Sequence, residues 1–178
     1  MRNQIAMLLI PFLLSSCGLV IKESPTPPPA PIPTTDPAKN LVNALAWAID
    51  AGEALVPRLA KLTPEQAATI RTGVAAIGKA AVITATEMAS QHGIREKVLA
   101  IVDAWGAAAP EPAFIGSLPE ETARYVRTVR DAIALILTTV TAILGSGTAE
   151  SVAAAPTPIP AGQWKQIEKR GQKLAKVK

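Results

Sequence analysis

Three sets of residues in this chain carry side chains that could do chemistry. Cys17 is the one cysteine among 178 residues, and a cysteine thiolate is a nucleophile. His92 and Glu96 are four positions apart, a spacing at which a helix could present both to a metal ion. Asp50 and Glu53 are three apart and could form a carboxylate pair for acid–base work. Each set must be weighed against an ordinary structural role.

The histidine and carboxylate sets carry little functional signal. A His-x-x-x-Glu spacing is usually an exposed pair, and nothing in the sequence supplies Asp50 and Glu53 with a partner site. The chain has no Gly-rich phosphate loop, no serine nucleophile elbow and no zinc-ligand spacing. We therefore expect no enzymatic activity, no metal and no cofactor. A periplasmic enzyme or small-ligand binder, assembled only in space, is the weaker alternative.

The residues before Cys17 give this cysteine a specific context. Arg2 supplies a positive start, and residues 5–14 are almost entirely apolar. About ten apolar residues are too few to span a bilayer, which takes roughly 20, but they fit the core of a cleaved export signal. The segment ends on an aliphatic residue, two small residues and the cysteine, namely Leu14, Ser15, Ser16 and Cys17.

This ending resembles the lipobox of bacterial lipoproteins. The resemblance implies that residues 1–16 are a signal peptide, removed once the Cys17 sulfur carries a diacylglycerol. The new amine is then acylated, with a fatty acid such as palmitate, and two or three chains would hold the protein firmly. Gly18 replaces the aspartate that favours inner-membrane retention, so we expect a lipid anchor in the outer membrane, facing the periplasm.

The lipidated cysteine and a proline-rich linker occupy residues 17–36. Six of the sixteen residues in 21–36 are proline, which fixes φ and has no N–H to donate. Such a segment adopts extended polyproline II, and sixteen residues reach about 50 Å. We interpret it as a stand-off that lifts the rest of the chain from the bilayer. A proline-rich ligand for another protein is the alternative.

Residues 37–149 predict an all-α domain that resembles a small four-helix bundle. Asp36 before Pro37 is a helix start, Thr63 with Gln66 has capping-box spacing, and Ser117 with Glu120 repeats it. Gly93 fits a helix stop. These signals predict four helices, at about 37–61, 64–91, 94–108 and 118–144.

Apolar residues recur within these helices at steps of three and four. The second helix shows this most clearly, with Ile70, Val74, Ile77, Ala81, Ala85 and Met88. Aromatic residues make up only 3% of the chain, so Leu, Ile, Val and Ala must form the core. We expect modest stability.

Residues 132–149 contain no charged side chain and approach the length of a membrane span. A span here would put the basic tail on the cytoplasmic side, as the positive-inside rule requires. That architecture, without any shared motif, resembles the single-chain spanins, phage lysis proteins that tether the outer and inner membranes. Threonine, serine and glycine residues make the stretch weakly hydrophobic, and its apolar face continues a capped helix. We favour a core helix.

Residues 150–178 predict a proline-containing linker and a basic C-terminal tail. Residues 163–178 hold six basic and one acidic side chain, a balance of +5, whereas the whole chain is only +4. Tryptophan favours membrane interfaces and cations favour anionic headgroups. The tail is therefore a candidate surface for a membrane or a partner, through Trp164, Lys165, Lys169, Arg170, Lys173 and Lys176. A disordered end is the alternative.

These features together predict a membrane-anchored periplasmic lipoprotein with a non-catalytic structural or interaction domain. The expected partners are the membrane, through the lipid, and either another envelope protein or a second copy of the chain. Nucleic acid is not expected, because an exported lipoprotein does not meet it.

Overall fold

The computed structural model of the protein describes residues 26–90, 93–145 and 159–177. Cys17 and His92 lie outside these ranges. The described residues form α-helices and no strand, which confirms the all-α, bundle-like prediction. The helices are α1 (Pro37–Leu55), α2 (Pro64–Ala89), α3 (Ile94–Ala108), α4 (Pro112–Gly116), α5 (Glu120–Gly145) and α6 (Ala161–Leu174).

Two of the predicted helix starts are confirmed in atomic detail. The Asp36 carboxylate accepts hydrogen bonds from the backbone N–H groups of Ala38 and Lys39. Thr63 and Gln66 form a reciprocal capping box at the start of α2. Each contact satisfies amide groups that have no partner within the first helical turn.

Other predicted boundaries are wrong. The Ser117 hydroxyl donates to the Phe114 carbonyl and so closes α4, whereas α5 begins at Glu120. Gly93 stands at the N-cap of α3 with φ −60°, and α2 has already ended at Ala89. α1 ends at Leu55 and a 3-10 helix, Val56–Lys61, follows, because proline within it cannot donate an α-helical hydrogen bond.

Four helices form the main bundle. α1 packs against α2 and α5, and α3 packs against the same two helices from the other side. The apolar stripes predicted from periodicity supply the core, as expected from their spacing. Its fully buried side chains include Leu41, Leu45, Ile49, Val74, Ile77, Ile101, Trp105 and Ile136.

The uncharged stretch at 132–149 lies in this core as far as the structure describes it. Ala132, Ile133, Ile136 and Val140 on α5 are each no more than 2% exposed. The helix packs along α1. Residues 146–149 lie outside the described part of the chain. Burial of one face, with charged residues earlier on the opposite face, favours the core helix over the membrane span.

By length and hydropathy, the one described stretch that could cross a membrane is instead Arg95–Gly116. It has 22 residues, and an 18-residue window within it has a mean hydropathy of 1.3 and is 22% buried. The stretch contains all of α3 except its first residue, all of α4 and the three non-helical residues between them. α3 alone would be about 22 Å long, shorter than the roughly 30 Å hydrocarbon core.

The C-terminal tail joins the bundle as a fifth long helix. α6 packs mainly on α2 and also touches α1. Trp164, Ile167 and Leu174, which share one helix face, are buried in the common core. The boundary expected at residue 150 is therefore corrected, since the helical domain includes α6. Residues 146–158 between α5 and α6 lie outside the described ranges.

The end of the proline-rich linker is also attached to the bundle. The Trp47 indole N–H donates to the Pro28 carbonyl at 2.9 Å. Thr34 and Asn40 exchange hydrogen bonds through the Thr34 backbone and hydroxyl and the Asn40 amide. The length that can act as a stand-off therefore ends at Pro28. Eleven residues, the separation of Cys17 from Pro28, would span about 34 Å if they were extended as polyproline II.

Candidate functional site

The carboxylate pair on α1 has a partner on α6. Arg170 donates one hydrogen bond to Asp50 at 2.5 Å and two to Glu53, at 2.9 and 3.4 Å. The two acids are three residues apart, so they project from the same face of α1. A planar guanidinium can bind both because it offers several donors in a fixed fork.

This arginine clamp, formed by Arg170, Asp50 and Glu53, is partly buried. The Arg170 side chain is 29% exposed. Burial alone would lower the pKa of Arg170, but the hydrogen bonds and charges of Glu53 and Asp50 outweigh it and raise this pKa above its usual range. The carboxylate pair therefore holds α6 against α1, which is a structural role. No local pattern in the sequence indicates this contact, because the partners are 117 and 120 positions apart.

The other basic residues of the tail form an exposed row. Lys165, Lys169, Lys173 and Lys176 are all solvent-exposed. At 100° per residue, Lys165, Lys169 and Lys173 fall within about 80° of one another, opposite the buried face of α6, and Lys176 follows in the turn after the helix. Within the described part of the chain, no carboxylate lies within 4 Å of any of them. We call these four residues the lysine row.

Trp164 does not belong to this surface. Its side chain is 9% exposed and packs with the hydrophobic core. The expectation that Trp164 reaches a membrane interface is therefore corrected, and so is the inclusion of Arg170, which is held in the clamp. Of the six residues predicted for the surface, the four lysines remain available.

A cavity of about 490 Å³ opens between α2 and the segment that joins α3 to α4. Ile70, Val74 and Ile77 lie on its α2 wall, and Phe114 lies on α4. Its volume falls within the usual range for small-molecule pockets. Glu111 is its one charged lining residue. The cavity offers apolar contact, and its lining contains no nucleophile–base arrangement.

Two buried polar groups elsewhere have structural roles. Arg58, 2% exposed, donates to the Tyr125 hydroxyl at 2.7 Å and its guanidinium lies 3.7 Å from the Tyr125 ring centre. This contact ties the 3-10 helix to α5. Trp105 donates its indole N–H to Thr84 at 2.8 Å and so links α3 to α2.

No cluster of three or more histidine, cysteine or acidic residues suited to a metal ion occurs among the described residues. Glu96 is exposed near the start of α3, and its predicted partner His92 lies outside the described ranges. Comparisons with family models, curated proteins and solved structures found no match to this chain.

Proposed function

We propose that the protein is a lipid-anchored lipoprotein of the outer membrane, and that its helical bundle is a non-catalytic interaction domain facing the periplasm. The lipobox-like residues from Leu14 to Cys17 carry the anchor, and the docked linker supports a bundle that is held near it. Because Trp47 binds the Pro28 carbonyl, the bundle begins only eleven residues after Cys17. A lipid on that cysteine would keep the bundle within about 34 Å of the bilayer.

The packing of α5 and α6 supports attachment to one membrane. A spanin-like tether would need 132–149 in a second bilayer and the basic tail beyond it. The buried residues Ile136 and Val140 on α5 pack instead in the core. α6 returns to α1 and α2. Forming the tether would expose this apolar surface, at about 25 cal/mol for each Å².

Metabolic labelling tests the anchor. Cells expressing the chain are grown with radiolabelled palmitate, and Cys17→Ser is compared with the control Ser151→Cys in the Cys17→Ser background. We expect label in the wild-type protein and its recovery with the outer membrane. Both variants should carry no label, because a cysteine outside the lipobox is not a substrate. A wild-type protein that is unlabelled and soluble would contradict the proposal.

Fractionation tests the single-membrane topology. A Cys17→Ala chain with a restored ordinary signal-peptidase site should be released at high salt as a soluble periplasmic protein. If it instead stays in the inner membrane with its tail protected from protease added to spheroplasts, the tether is correct. Sedimentation of the released chain then tells self-association from a monomer that requires a different envelope partner.

A further inference from the structure

We propose that the lysine row of α6 is a second membrane contact, which binds anionic phospholipid headgroups while α6 stays packed in the bundle. The chemistry recognised is a surface of phosphate groups. The inference relies on the proposed lipid anchor for its orientation. The binding itself is a property of the folded domain and can be measured without the anchor.

The charge distribution favours this assignment. The helical part of the lysine row, from Lys165 to Lys173, spans about 12 Å opposite the buried face of α6, and Lys176 follows in the turn after the helix. Residues 163–178 carry +5, whereas all preceding residues together carry −1. The nearest acids on α1, Asp50 and Glu53, are already paired with Arg170. The outer face of α6 therefore carries four exposed positive charges, and no carboxylate of the described residues lies within 4 Å of them.

The mode of binding follows from the buried face. Trp164, Ile167 and Leu174 are held in the core, so they are not available for insertion. Binding must then come from charge alone, and each lysine near an anionic surface contributes roughly fivefold in affinity. Four lysines together should raise the affinity by roughly two to three orders of magnitude. Raising the salt concentration should abolish the binding, because the Debye length falls from about 10 Å at 0.1 M to about 3 Å at 1 M.

The position of the linker makes a lipid surface the favoured partner. The linker is bound at Trp47, and the arginine clamp uses Asp50 and Glu53, so both attachments lie within six residues of α1. Six residues correspond to about 9 Å along the helix axis. An anchored Cys17 would thus keep the lysine row within reach of the same bilayer. Two linked contacts reinforce each other, because the second becomes intramolecular.

Vesicle sedimentation tests the proposal on the chain from residue 17 onward, with Cys17→Ala. We expect binding to vesicles of phosphatidylglycerol mixed with phosphatidylcholine, no binding to phosphatidylcholine alone, and loss of binding as salt is raised. Changing all four lysines of the row to glutamine should weaken binding by roughly two orders of magnitude or more. A matched variant loses four exposed or half-exposed cations elsewhere, at Arg71, Lys79, Arg95 and Arg130. This variant should change the binding affinity less than about tenfold.

Hydrogen exchange on the vesicle-bound protein tests whether α6 stays packed in the bundle while the lysine row binds lipid. We expect the amides of α6 to stay as protected as in solution, whereas their deprotection would show insertion of the released helix and overturn the proposal. Equal losses in the two variants, or no binding by the parent chain, would also overturn it. If the row variant binds vesicles normally but loses cross-links to an acidic envelope protein in cells, the row serves a protein. Palmitate labelling is independent of all these outcomes, so failure here is distinguishable from failure of the anchor.

Discussion

Gly78 and Gly171 meet backbone to backbone where α2 and α6 cross. A Cβ atom built on Gly171 would lie 2.8 Å from the Gly78 carbonyl oxygen, a distance that real Cβ atoms do not show. A Cβ built on Gly78 would clash with the backbone of Gly171 and Ala175. Two small residues thus let α6 approach α2 closely enough to bury its apolar face.

Adding a methyl group at this crossing should displace α6. We expect Gly78→Ala and Gly171→Ala each to lower the free energy of unfolding by about 1–3 kcal/mol, since the obstructing atoms are backbone and cannot rotate away. Denaturant unfolding measures the loss, and hydrogen exchange should show that α6 amides are affected most.

Gly73 on the same helix provides the control. A Cβ built there meets nothing within 4 Å. Gly73→Ala should therefore raise stability by about 0.5–1 kcal/mol, because alanine loses less backbone entropy than glycine in a helix. If Gly78→Ala were as stable as Gly73→Ala, the close approach of α2 and α6 would be contradicted.

The arginine clamp should stabilise the docked α6 by a modest amount. Arg170→Gln removes hydrogen bonds to Asp50 and Glu53, and we expect a loss of about 1 kcal/mol because the acids left behind remain partly hydrated. A double-mutant cycle with Glu53→Gln measures the coupling. Lys169→Gln, next to it but exposed, should change stability by less than about 0.5 kcal/mol. If Arg170→Gln and Lys169→Gln lowered stability equally, the arginine clamp would not stabilise the docked α6.

Thr84 is a buried polar group with two hydrogen bonds. Its hydroxyl accepts from the Trp105 indole and donates to the Ala80 carbonyl, both at 2.8 Å. Thr84→Val keeps the shape but leaves the buried indole N–H without an acceptor, which should cost about 1–3 kcal/mol of unfolding free energy. Thr141→Val, at an exposed position on α5, should cost less than about 0.5 kcal/mol. If Thr84→Val were as stable as Thr141→Val, the hydrogen bond between Trp105 and Thr84 would not stabilise the fold.

Glu120 at the start of α5 should titrate below its ordinary pKa. Hydrogen bonds from Arg127 and then Arg124 lower its pKa below the ordinary value of 4.5. Since the folded-state pKa is depressed, the associated stability is present above the unfolded-state pKa and is lost as pH falls through the folded-state value. NMR titration of the carboxyl carbon measures this. In Arg127→Gln the midpoint should move back towards 4.5, and an unchanged midpoint would contradict the contact.

The helical segments were predictable because their signals are local. Asp36 and Thr63 cap helices through residues two or three positions away, and the stripe containing Ile70, Val74 and Ile77 requires only the helical repeat. The helix start predicted at Ser117 was wrong because its hydroxyl could cap either of two adjacent helix ends. It closes the preceding one.

The sequence by itself determined an all-α domain, its principal helices and their apolar faces, and it placed a lipobox-like cysteine ahead of a proline-rich linker. Only the tertiary structure decided that α6 closes the bundle, that Arg170 meets Asp50 and Glu53, and that Pro28 docks on Trp47. Those contacts join residues 19 to 120 positions apart. They depend on how the folded helices pack against one another, which helix caps and apolar periodicity do not encode. The same packing leaves the lysine row exposed and buries Trp164.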